Sequence, residues 1–197
     1  KIIMVRSTKY LLLLFLFVSF SVSAQKKQQK KIVLKYWEDM SEAEKDGMLK
    51  DSTLNANALS LYNKTYVWGL DNKADLSLMK ALTWDKENNL PLRFFLFNNL
   101  ISSGDTSLNK LLTEFSAKML FNQTEFALKY FHKQRLKKNN FYKKYVPFLA
   151  ADLDEKNEYG TFKDYINFFI IPEKDKTIQQ TADLLFKEME ALGAGKK

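Results

Sequence analysis

The sequence predicts an all-α domain, and three observations carry that expectation. Apolar residues recur at helical spacing along most of the chain. Helix caps and breakers punctuate those stripes, and no strand–turn–strand alternation follows Trp37. Finally, 46% of the 197 residues are hydrophobic while only 6 are Gly and 3 are Pro, which supplies a core and argues against disorder. Short connections force neighbouring helices to run antiparallel, so the expected architecture is an irregular helical bundle of about eight helices. A short degenerate helical-hairpin array is the alternative, although no repeat of roughly 34 or 40 residues aligns residue for residue.

The chain opens on a different kind of segment. Lys1 to Lys9 is basic, Tyr10 to Phe20 is an apolar run (YLLLLFLFVSF), and Ser21-Val22-Ser23-Ala24 supplies small residues before Gln25. This is the pattern of a cleaved secretory signal peptide over residues 1–24, with an uncleaved N-terminal anchor as the alternative, and its apolar core is shorter than the roughly 20 residues of a membrane span. Cleavage after Ala24 removes Lys1, Arg6 and Lys9 and no acid, so the formal charge falls from +8 to +5. The chain has no cysteine. A disulfide, a thiolate metal site, a Cys nucleophile and a lipid-modified N-terminal cysteine are therefore all excluded, and the exported product must rest on apolar packing alone. Residues 25–40, with Lys26, Lys27, Lys30, Lys31 and Lys35, read as a basic, partly mobile arm ahead of a single domain over 41–193 and a flexible 194–197 tail. The Ile32-Val33-Leu34 stretch fits a helix extension or a short strand equally well.

Within the domain, Ser41-x-x-Glu44 is a capping box that opens a short helix to about Lys50. Leu54, Ala58, Leu61, Tyr62 and Tyr66 share one helical face, which Gly69 and Asp71-Asn72 end. A third helix is expected from about Ala74 to Trp84. Pro91 suits the first turn of the next, whose Leu92, Phe94, Phe95, Leu96, Phe97, Leu100 and Ile101 are apolar on nearly every side, the mark of a buried central helix. After Ser102 to Asp105, Leu108, Leu111, Leu112, Phe115 and Met119 define another stripe. Asn122-x-x-Glu125 is the expected cap of a helix carrying Phe126, Tyr130 and Phe131 inward.

Beyond Asn139-Asn140, an aromatic helix contains Phe141, Tyr142, Tyr145, Val146, Phe148 and Leu149, with Pro147 expected to kink or restart it. Thr161-x-x-Asp164 leads a stripe of Phe162, Tyr165, Ile166, Phe169 and Ile170, closed by Pro172. Thr177-x-x-Gln180 is the expected cap of the last helix, with Ile178, Leu185, Met189 and Leu192 buried and Gly193 past its end.

Motifs for chemistry are scarce. His132 is the single histidine, so neither a two-histidine metal site nor an HExxH helix can be built, and a solvent-facing imidazole is expected. No serine sits in a Gly-x-Ser-x-Gly turn, and the six glycines do not form a phosphate-binding loop. Asp152, Asp154, Glu155 and Glu158 superficially suggest a calcium loop, but the fifth, sixth and twelfth positions are Lys156, Asn157 and Lys163. No cofactor or metal is expected.

Charge is less evenly spread. From Ala127 to Ala151 the chain carries Lys129, Lys133, Arg135, Lys137, Lys138, Lys143 and Lys144 and no acid, interleaved with Tyr130, Phe131, Phe141, Tyr142 and Tyr145. Basic charge beside aromatic faces can hold a polyanion, a base or a sugar, so Lys129, Lys133, Arg135, Lys137, Lys138, Tyr142, Lys143 and Lys144 are the candidate binding residues. The aromatics also fall at core spacing, and export speaks against nucleic acid as the ligand. Asp51-Ser52-Thr53 resembles the short acceptor used for O-glycosylation of exported proteins in some bacteria, which makes Ser52 a candidate acceptor; Asn63-Lys64-Thr65 and Asn122-Gln123-Thr124 match the N-glycosylation sequon.

Two functional expectations result. The first is an exported, non-catalytic α-helical binding protein of the bacterial envelope, an immunity or inhibitor role included, with a protein partner or an anionic envelope component. The alternative is a carboxylate-dependent hydrolase of cell-wall or extracellular carbohydrate, with Asp152, Asp154 and Glu155 as nominal acids, since two carboxylates suffice for such chemistry.

Overall fold

A computed structural model describes residues 35–83, 89–135, 141–170 and 175–195. Among them are nine α-helices and two 3₁₀ turns and no strand: α1 (Glu42–Leu49), α2 (Ala56–Tyr62), α3 (Asn72–Thr83), α4 (Leu90–Ser103), α5 (Asn109–Asn122), α6 (Thr124–Arg135), α7 (Phe141–Glu155), α8 (Tyr159–Ile170) and α9 (Lys176–Ala191). The 3₁₀ turns are Trp37–Asp39 and Thr106–Leu108. The fold is an all-α helical bundle, as expected. None of the described helices is long and apolar enough to cross a membrane. The signal-peptide segment, residues 25–34 of the basic arm and Ile32-Val33-Leu34 within it lie outside the described residues.

Local chemistry sets most helix ends. Ser41 and Glu44 form the capping box of α1 in both directions. Gly104, with φ of 70°, closes α4 in the left-handed conformation that glycine reaches at least cost. Four ends differ from expectation. The Tyr66 stripe is not continuous helix: α2 stops at Tyr62, Lys64 turns left-handed at φ 60°, and the Thr65 and Tyr66 amides fold back onto the Ser60 carbonyl. Asn122 does not cap α6: it is the last residue of α5, α6 begins at Thr124, and the Asn122 amide donates to the Thr83 carbonyl at 2.6 Å. Likewise α9 begins at Lys176, capped by Asp175 on the Thr177 amide rather than by Thr177 itself. α8 starts at Tyr159, ahead of Thr161.

Pro147 lies inside α7, which continues through it from Phe141 to Glu155. The residue is exposed, on the solvent side of the helix. α4 is buried over most of its surface, with Asn99, Ser102 and Ser103 exposed on one side, and even Arg93 is enclosed, donating to the Ala81 carbonyl of α3 at 3.2 Å.

The hub is α7, which packs against α4, α5, α6, α8 and α9. Its inner face carries Tyr142, Tyr145, Val146, Leu149 and Leu153. Phe131 of α6 wedges into that face, its ring 5.5 Å from Tyr142 and 4.9 Å from Tyr145. Edge-to-face rings of this kind bury large apolar area in fixed geometry. α9 covers α6 and α7 with Ile178, Ala182, Leu185 and Met189. Leu192, expected on that buried face, is 57% exposed because α9 ends one residue before it.

Candidate functional site

The acid-free stretch falls on α6 and α7 and divides into an inside and an outside. Tyr130, Phe131, Tyr142 and Tyr145 are buried. Tyr142 is only 1% exposed, its hydroxyl has no hydrogen-bond partner among the described residues, and burial pushes its pKa upward. An enclosed ring cannot stack a ligand, and Tyr142 belongs to the core rather than to a surface site.

The described cations are half-buried or exposed, and several are already engaged. Lys129 lies 2.8 Å from Glu125 one turn earlier on α6, and 3.8 Å from Asp175 at the start of α9. Lys133 donates to Asp39 at 2.6 Å, reaching across 94 positions of sequence. Lys144 is exposed and donates to the Ser102 carbonyl at 3.1 Å. Lys143 is exposed. Arg135 is half-buried at the end of α6. Lys137 and Lys138 lie outside the described residues. His132 is half-buried rather than solvent-facing, its Nδ1 3.4 Å from the Thr181 hydroxyl of α9.

The nominal acids do not converge. Asp152 is 1% exposed on the inner face of α7, where it receives the Lys156 ammonium and the Ala117 amide of α5 at 3.3 Å. Desolvation raises its pKa, and those two donors oppose the rise. Two turns earlier on the same face, Tyr145 donates to the Ser116 carbonyl. Tyr145 and Asp152, seven positions apart, thus fasten α7 to consecutive residues of α5. Asp154 lines two open grooves, of about 290 and 400 Å³, near the end of α7. It is the single acidic side chain lining either groove, and Glu155 is exposed. No group of three or more His, Cys, Asp or Glu suited to a metal ion occurs among the described residues.

No family model, curated protein or solved structure matches this chain. Function must therefore be argued from its own surfaces.

Ser52 is exposed in the turn between α1 and α2. Asp51 shapes that turn by accepting the Thr53 amide at 2.8 Å and the Thr53 hydroxyl at 2.7 Å. Those hydrogen bonds lower the Asp51 pKa. The two sequons differ: Asn63 and Thr65 are exposed, whereas Thr124 is buried with its hydroxyl on the Leu120 carbonyl at 2.9 Å.

Sequence reasoning missed residues 36–39. Tyr36, Trp37, Glu38 and Asp39 belong by composition to the end of a mobile arm, yet they lie packed across α4 and α6. Tyr36 sits 4.7 Å from the Phe126 ring and 5.0 Å from Tyr130. Trp37 is 5% exposed, stacked 5.8 Å from Phe95 and edge-on to Tyr62 at 5.6 Å. Glu38 accepts the Tyr130 hydroxyl at 2.8 Å. Two adjacent aromatics followed by two acids, set against an acid-free basic stretch later in the chain, were the available signal.

Proposed function

We propose that the chain is an exported, non-catalytic helical binding protein of the bacterial envelope, which holds an acidic protein partner on the basic stretch that runs from the end of α6 into α7. One observation carries the reading: among the described residues of the acid-free stretch, Tyr130, Phe131, Tyr142 and Tyr145 are buried in the core while Lys143 and Lys144 are exposed. Charge displayed on a rigid scaffold steers and orients an oppositely charged partner. Lys129 and Lys133 are occupied by neighbouring acids, so the reading places the binding charge on Lys137, Lys138, Lys143 and Lys144.

Replacing these four by Glu is expected to abolish capture of an acidic protein from envelope extract while circular dichroism stays unchanged. Retained capture by that variant, or no acidic protein captured by the unaltered chain, would overturn the reading. Export is checked separately by fractionation and N-terminal sequencing, with Gln25 as the expected first residue of the envelope form.

A further inference from the structure

Residues 36–39 form a short strap whose attachment is almost wholly through side chains. Its only regular structure is one 3₁₀ turn with no side-chain cap. α1, which follows, fully buries none of its residues. The strap is held instead by Tyr36 and Trp37 against Phe95, Phe126, Tyr130 and Tyr62, and by its two acids. Tyr36 also donates to the Phe126 carbonyl at 3.4 Å. Asp39 takes the Lys133 ammonium, which lies 5.2 Å from the centre of the Tyr36 ring. Beneath the strap the protein therefore offers an aromatic floor and a cationic rim, matched to two aromatics followed by two carboxylates.

We propose that this surface of α4 and α6 is a peptide-binding groove, that residues 36–39 are its resident occupant, and that its ligand is an acidic–aromatic segment of a partner protein. This rests on reading the chain as a protein-binding module, and it supplies the partner's chemistry. An occupant tethered to its own groove competes at high effective concentration, so the groove stays shut until a partner segment of the same chemistry outcompetes it. Glu125 also faces Tyr36, so Lys133 rather than the whole α6 surface provides the selection for acid.

The test uses the full chain and a labelled peptide of residues 35–41. The Trp37→Ala chain, with its strap loosened, is expected to bind the peptide at least about tenfold more tightly than the unaltered chain, and adding Lys133→Glu is expected to reverse the gain. A peptide with Ala in place of its Trp should not bind. Hydrogen exchange of the unaltered chain provides a reading that no substitution can spoil: amides 37–40 should open independently of α6 and α7. Loss of helicity in Trp37→Ala, equal peptide binding by both chains, or exchange of amides 37–40 only through global unfolding would each overturn the proposal. None of these readings uses the basic residues of the capture experiment, so the groove and the basic stretch can fail separately.

Discussion

Tyr145 and Asp152 show how single polar residues specify the interface between α5 and α7. Both are buried, and each meets the α5 backbone at consecutive residues. A buried hydrogen bond contributes about 1 kcal/mol net, and an abandoned buried partner costs about 1–3 kcal/mol. Tyr145→Phe is accordingly expected to lower unfolding stability by about 1 kcal/mol, and Asp152→Ala by about 1–3 kcal/mol, in urea titrations. Asp152→Asn should cost less than Asp152→Ala, since it keeps an acceptor for the Ala117 amide. The pH dependence has a definite sign. Burial raises the folded pKa of Asp152, so the native state takes up this proton before the unfolded state does. Lowering the pH through the folded value toward the ordinary carboxylate range should then favour the unaltered chain over Asp152→Asn; a difference independent of pH would remove this account of the residue.

At the scale of elements, α1 depends on its first turn more than any other helix, because it has no fully buried residue to hold it. Glu44 accepts from Lys35 at 2.6 Å and from the Ser41 amide at 2.8 Å, and these bonds lower its pKa from 4.5 to about 2. A lowered carboxylate pKa stabilises the fold above the ordinary value and withdraws that stability as pH falls through the folded one. The turn should therefore persist at pH values where other exposed carboxylates are already protonated, and unravel only as pH approaches 2. An NMR titration of the Glu44 carboxyl carbon checks this, with a midpoint near 4.5 as the contrary result. Helix α7 represents the opposite case. It continues as helix through Pro147, which is exposed, while Tyr142, Tyr145 and Leu149 are buried and the helix packs against α4, α5, α6, α8 and α9. Packing overrides the local penalty of a proline there.

Across the whole molecule, residues 35–197 form one compact unit around a contiguous apolar cluster. Ion pairs contribute little to it. Apart from Lys156 with Asp152, those seen among the described residues have both ends partly exposed. Exposed pairs contribute from zero to about 1 kcal/mol and are screened by salt. Unfolding stability is expected to change by less than about 1 kcal/mol between low and high sodium chloride, measured by urea denaturation; a larger loss would show that charge networks hold the bundle. The helical class and the buried α4 were legible in the sequence because periodicity and all-round apolarity are local properties. The aromatic positions of α7 were legible too, although Asp152 fell seven positions from Tyr145 and was still grouped with Asp154 and Glu155 as a nominal catalytic acid: residue type outweighed spacing. The strap was not legible, because Lys133 and Asp39 meet over 94 positions and nothing near either residue names the other. Lys129 with Glu125 is an i,i+4 pair that spacing could have shown, whereas the pairing of Lys133 with Asp39 is a property of the folded surface.

The burial of Trp37 also gives the molecule an optical reporter of its own. An indole stacked on Phe95 emits at shorter wavelength than one in water, so its fluorescence registers whether the strap is seated. With Trp68 and Trp84 replaced by Phe, emission would come from Trp37 alone. A red shift on adding a partner segment that carries Phe in place of Trp, at constant helicity, would then report the opening of the groove directly, with no label attached.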